Sequence, residues 1–320
     1  MSTATTLAAY GAALVVVFGT AVGIGNAVGP VGAGDPVQAD HGEHDTDAGG
    51  EHATDGVAAV RPGPAGLAVS QDGYTLELER APTAAGRPAP LVFRVLGPDG
   101  TALTRYALEH ERELHLVLVR RDGTQFQHLH PGRDATGRWA LPLTVPSAGS
   151  YKVFADFTPA GAEQGLTLAT DLSVAGTVQR AVLPVQQRTA VVDGYTVTLD
   201  GDLVPGTASP LRLSVRRGGR PVTDLQPYLG AYGHLVALRS GDLAYLHVHP
   251  EGGPPAGPGG PDVRFDADVP SAGDYRLFLD FRHDGVVRTA AFGLHAPAAG
   301  STSTGPATND DEDGHEGHGT

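Results

Sequence analysis

The 320-residue sequence contains no cysteine, and its single methionine is Met1. Without thiols there is no disulfide framework, thiolate zinc site, iron–sulfur cluster, blue-copper centre or cysteine nucleophile. Without internal thioethers the softest copper(I) sites are excluded too. Basic residues are scarce, 22 against 36 acids, and the first of them is Arg61. No interior stretch forms the basic patch that a phosphate backbone requires, so nucleic acid is excluded as a partner. Long amphipathic helices are also missing from the interior.

What remains is rich in turns, with 45 glycines and 25 prolines, and long enough for two ordinary domains. The net charge of −14 is concentrated at the ends. Seven acids and no base lie in residues 35–56, five acids and no base in residues 310–316, and the interior is close to neutral. Both acidic segments carry histidines: His41, His44 and His52 in one, His315 and His318 in the other. Such segments cannot bury apolar surface and read as disordered, residues 35–56 as a linker and 298–320 as a tail. They either collect divalent cations weakly or serve as solvated spacers.

Residues 1–34 are uncharged, and within them Leu7–Val28 is long enough to cross a hydrocarbon core of about 30 Å. This reads as a single-pass signal-anchor with the bulk of the chain outside the cytoplasm. A cleaved secretory signal peptide is the rival reading, disfavoured by the missing basic n-region and the length of the apolar run.

The interior reads twice. Asp72-Gly73-Tyr74-Thr75 returns at Asp193–Thr196, His115-Leu116-Val117 at His234–Val236, Gln127–Pro131 at Leu246–Pro250, and Val145-Pro146-Ser147-Ala148-Gly149 at Val269–Gly273. Four motifs in one order at a nearly constant offset define a tandem repeat, 57–178 and 179–297, with the boundary near 178–187. Each copy reads as about seven short strands between Gly, Pro and Asp-Gly turns. That is an all-β chain of two antiparallel β-sandwiches, each with a full strand set of its own.

Hairpin register then places the histidines. If Asp122-Gly123 is a two-residue turn, Val117 lies opposite His128 and His115 opposite His130. In the second copy Val236 lies opposite His247 and His234 opposite His249. Opposed residues and residues two apart share a face, so His115, His128 and His130 project together, as do His234, His247 and His249. Three imidazoles without sulfur suit Cu(II) or Zn(II). The same faces also carry Val117, Val119 and Phe126, and Val236, Leu238 and Tyr245, so buried, hydrogen-bonded histidines fit the pattern as well. Recurrence of the trio while its neighbours changed favours metal, one ion per repeat. His110, His283 and His295 have no counterpart and read as surface or packing residues. Asp156 and Asp280 recur in equivalent strands, where they either orient a ligand imidazole or, the preferred reading, face solvent or cap a turn.

The run from His115 through Asp122 to His128, His130 and Pro131 resembles YtkA-like domains, a family of small exported β-sandwiches. The whole layout, with Tyr228–Pro250 in the second copy, is similar to a group of actinobacterial secreted or membrane proteins. Some members of that group carry a heavy-metal-associated domain, which this chain lacks. The resemblance covers roughly residues 60–297 and implies an immunoglobulin-like or cupredoxin-like sandwich.

The leading functional reading is a membrane-anchored extracytoplasmic protein that binds copper or zinc as a buffer, sensor or delivery factor. The alternative is a structural or adhesive tandem module without metal. An enzyme is disfavoured: G-x-S-x-G is absent, and of the Glu and further His that a cupin-like metalloenzyme wants, the first copy supplies neither and the second only Glu251.

Overall fold

The computed structural model describes residues 64–298, His247 excepted. The expected anchor, acidic linker and C-terminal tail lie outside them. No helix among the described residues is long and apolar enough to cross a membrane.

The first repeat runs through β1 (Ser70–Gln71), β2 (Tyr74–Arg80), β3 (Pro88–Leu96), β4 (His115–Arg120), β5 (Gln127–Leu129), β6 (Gly132–Arg133), β7 (Arg138–Thr144), β8 (Gly149–Phe157) and β9 (Leu166–Val174). The second continues with β10 (Thr189–Val192), β11 (Tyr195–Asp200), β12 (Ala208–Arg217), β13 (Arg220–Pro221), β14 (His234–Arg239), β15 (Tyr245–Leu246), β16 (Val248–Pro250), β17 (Asp262–Asp268), β18 (Gly273–His283) and β19 (Val286–Ala296). In each repeat two antiparallel sheets form a sandwich. The orders are β1-β2-β3-β7-β6 against β5-β4-β8-β9, and β10-β11-β12-β17-β16, with β13 beside β12, against β15-β14-β18-β19.

Each sandwich has its own core. Leu91, Phe93, Leu116, Leu118, Trp139 and Tyr151 fill the first. Tyr195, Leu213, Leu235, Phe265, Leu277 and Phe292 fill the second. Alternation along the strands supplies one inward apolar row per sheet.

The β4–β5 and β14–β15 hairpins hold the register read from the turns: Val117 pairs with His128 and Leu118 with Gln127, Ala237 with Leu246 and Leu238 with Tyr245. Gly123 takes the positive φ of 76° at the first turn. Beyond the hairpin the expectation fails. β5 ends at Leu129, and β6 pairs with β7 in the opposite sheet. β16 likewise pairs with β17, setting His249 opposite Asp266. The expected ladder pairs His115–His130 and His234–His249 do not form, because the chain turns the corner from one sheet to the other there. Pro131, which has no N–H to give a ladder, marks the corner in the first repeat.

A third buried cluster belongs to neither sandwich. Val117, Val119, Phe154 and Ala169 of the first repeat pack against Val236, Leu238, Leu243, Tyr245 and Phe278 of the second. Phe126 stacks on Phe278 with ring centroids 4.1 Å apart. These are the outward faces of β4–β8–β9 and β14–β18–β19, so β4 is buried at every position. Residues 64–69 strap the two repeats together: the Gly66 amide donates to the Thr167 carbonyl at 2.9 Å, and the Tyr245 amide to the Ala65 carbonyl at 2.9 Å. Only glycine fits at position 66, since a Cβ would stand 2.7 Å from the Phe154 ring.

Candidate functional site

The face that buries Val117 and Val119 also carries His115, which opens β4, and His128, at the middle of β5. The matching face of the second repeat carries His234, which opens β14. Packing the two faces together therefore gathers histidines from both repeats at one end of the shared core. The His234 ring stacks on His115 (centroids 5.2 Å apart, planes 10° apart) and on His128 (4.7 Å, 30°). His115, His128 and His234 each offer one ring nitrogen within 4.8 Å of the other two, the metal-capable group among the described residues.

Hydrogen bonds fix two of the tautomers. His115 Nε2 lies 3.0 Å from the Glu109 carbonyl oxygen, which only accepts, so this nitrogen carries the proton and Nδ1 of the neutral ring holds a lone pair. His128 Nδ1 lies 2.8 Å from Asp280 Oδ2 and donates to it, which leaves a lone pair on Nε2 of its neutral ring. His115 Nδ1 and His128 Nε2 then face each other at 3.1 Å. His130 Nε2 lies 3.3 Å from the same His115 nitrogen, close enough to donate to it.

Asp280 is 3% exposed and is held by the Thr289 hydroxyl, which donates to Oδ1 at 2.5 Å. It accepts from a histidine of the other repeat, 152 positions away in sequence. The preferred reading of Asp280 as a solvent-facing or turn-capping acid is corrected here: it is buried at the junction and oriented toward His128. Asp156 accepts from Thr167 in the equivalent pair at 2.8 Å.

Burial favours the neutral form of His115, His130 and His234. His115 is pushed down to about 4, mainly by desolvation, with the neighbouring His128 adding to the shift. Desolvation and His128 push His130 down to about 3. His234 is also driven well below the usual histidine range by the loss of water and the adjacent imidazoles. Tyr245, buried beside Asp156 and Asp280, is held well above the usual phenol range by desolvation first and those acids second.

The sequence reading placed one trio in each repeat; the structure distributes these residues differently. His115, His128 and His130 do come together, and His234 joins them across the junction. His249 sits exposed on β16, at the edge of the opposite sheet. His247 lies outside the described residues. A cavity of about 540 Å³ opens beside the cluster, lined by Glu109, His110, His115, Asp156, His234 and His249 among others. His110, read as a surface or packing residue, packs edge-on against His234 (5.3 Å) and His115 (6.0 Å). Lacking a counterpart in the second repeat, it gave no repeat signal. His283 is a buried packing residue, 2.6 Å from the Tyr195 hydroxyl and 2.9 Å from Asp224. His295 is exposed and pairs with Asp274 at 2.7 Å.

The other recurrent motif has a structural role. In Val-Pro-Ser-Ala-Gly-x-Tyr the tyrosine hydroxyl donates back to the serine carbonyl, Tyr151 to Ser147 and Tyr275 to Ser271, each at 2.7 Å. The serine hydroxyl accepts from Arg120 at 2.9 Å and from Arg239 at 2.7 Å, and each arginine is paired with its turn acid, Asp122 or Asp242.

A family model described as a domain of unknown function, DUF8832, matches residues 68–175 and again residues 190–298. This match carries no link to YtkA-like or heavy-metal-associated domains. No curated protein sequence matches the chain. Among solved structures the chain is similar to FdeC, an Escherichia coli adhesin, at 14% identity over 72% of this chain and 66% of that one, TM-score 0.23. It is similar to a marsupial T cell receptor at 11% identity, covering 70% and 99%, TM-score 0.23. It is similar to invasin, a bacterial integrin-binding protein, at 15% identity, covering 70% and 39%, TM-score 0.20. The chain thus spans less than two thirds of the FdeC and invasin chains, and at these TM-scores the likenesses carry no argument of their own.

Proposed function

We propose, for a chain that belongs to the DUF8832 family in two tandem copies, a structural role outside the cytoplasm: a two-sandwich module of fixed internal geometry, without catalytic activity. The shared buried cluster carries this reading. Two sandwiches joined only by a linker leave their outer sheets in water, whereas here both outer sheets are spent on each other. The connector is fastened as well, with Gln187 exchanging backbone hydrogen bonds with Gly293 at 2.8 and 3.0 Å. A rigid pair of domains suits a spacer or adhesive module that must hold a surface at a set distance and orientation. The extracytoplasmic location rests on the uncharged span at residues 7–28, which this reading takes as a membrane anchor. Differential scanning calorimetry tests the module: one cooperative transition for the full chain supports it, and two separated transitions overturn it.

A second reading is favoured by the convergence of His115, His128 and His234. It makes the same anchored module a binder of copper or zinc that buffers, senses or delivers the ion. Stoichiometric metal retained after dialysis against metal-free buffer supports it, and its absence at micromolar metal removes it.

A further inference from the structure

We propose that the two repeats share one divalent transition-metal site, with His115 and His128 from the first and His234 from the second as ligands, so that the ion pins the repeats together. The proposal deepens the metal-binding reading: it rests on that reading for the binding itself and adds the number of ions, the ligands and the consequence.

The lone pairs carry it. Glu109 and Asp280 each take the proton of one ring nitrogen, turning the bare His115 Nδ1 and His128 Nε2 toward each other at 3.1 Å. Two lone pairs at hydrogen-bond distance with no proton between them repel. His130 can donate to His115 Nδ1, but that leaves the His128 lone pair aimed at a nitrogen already satisfied. The contact closes either on a proton shared between the two nitrogens or on a metal cation that accepts both lone pairs. The 3.1 Å spacing also admits the cation, since zinc–nitrogen bonds of about 2.0–2.1 Å set tetrahedral ligand atoms about 3.3 Å apart. His234 brings the third nitrogen within 4.8 Å, wider than the about 3.3 Å between bound ligands, so binding has to draw its ring inward.

The Asp280–His128 pair has the form of a carboxylate orienting a metal-bound imidazole through its far nitrogen. It crosses the junction, so the second repeat both supplies a ligand and aims one belonging to the first. An all-imidazole set favours Zn(II) or Cu(II) over Mg(II) or Ca(II). The cavity reaching His115 and His234 gives an ion a way in, past Glu109 and Asp156.

The test uses the full chain with His41→Ala, His44→Ala, His52→Ala, His315→Ala and His318→Ala, so that the end segments contribute nothing. The protein is stripped with chelator and titrated separately with Zn(II) and Cu(II) in a calorimeter. One equivalent per chain is expected, with a rise in melting temperature as metal binds the folded state. His115→Ala, His128→Ala and His234→Ala should each abolish that equivalent, and Asp280→Asn should weaken it by about 10–100-fold. His295→Ala should leave it unchanged. Should His234→Ala fail to fold by circular dichroism, His234→Gln replaces it, and a folded His234 variant that keeps the full equivalent overturns the shared site. Two equivalents, with His234→Ala losing only one, overturn the shared site while the metal-binding reading stands. No binding at micromolar metal overturns both.

Discussion

The two repeats carry the same histidine motif in the same hairpin and put it to different uses. In the first, three residues of the return strand stay in the ladder, so His128 points into the junction with His130 beside it. In the second, among the described residues, the return strand holds Tyr245 and Leu246, and from Val248 the chain pairs in the other sheet, with His249 at an exposed edge. The second repeat instead gives His234 and the acid that orients His128. A tandem pair that buries equivalent faces against each other offers two equivalent half-sites. Their side chains compete for one space, and a corner turned earlier in one copy is enough to divide the roles.

The comparison is broken most severely by removing the shared core from the second repeat's side. Phe278→Ala should cost about 3–5 kcal/mol in urea unfolding, because the ring is buried and stacked on Phe126. A loss below about 1 kcal/mol would show that the two outer sheets contribute little to each other.

Acid should act next, through the buried histidines of the junction, His234 of the second repeat among them. In metal-free protein His115 and His130 are neutral when folded, with values of about 4 and about 3, against about 6.5 unfolded. Below pH 6.5 the unfolded chain binds more protons, so stability is full above that pH and falls on acidification. The loss from His115 should run at about 1.4 kcal/mol per pH unit until pH about 4. His115→Gln should flatten this slope; an unchanged slope would show that His115 does not carry it.

The smallest effect is a symmetric one. Tyr151→Phe and Tyr275→Phe each remove one hydroxyl bond to a serine carbonyl and should each cost about 0.5–1.5 kcal/mol, alike in both repeats. Unequal losses would mean that the frames differ as well as the sites.

The hairpin register came out as counted although the turn is not the two-residue Asp122-Gly123 turn expected: Arg120 pairs with Thr124 around a three-residue loop, and Gln125, with φ of 57°, takes up the extra residue. His115 and His128 could be placed on one face by that counting alone. The joining of His234 and Asp280 to them was not legible, since it depends on how two domains dock and no local period records that. One signal did point there: His115–Arg120 reads HLVLVR, with apolar residues on both faces where a half-exposed strand alternates. Such a strand needs cover on its outer side, and the second repeat is that cover. The corner at Pro131 was visible as a proline but not as a change of sheet.

The strap at residues 64–69 has a mechanical consequence. A pull applied at Pro64 meets the Ala65 bond to the second repeat and the Gly66 bond to the first almost together. The load therefore reaches both repeats through the strap before it reaches β1.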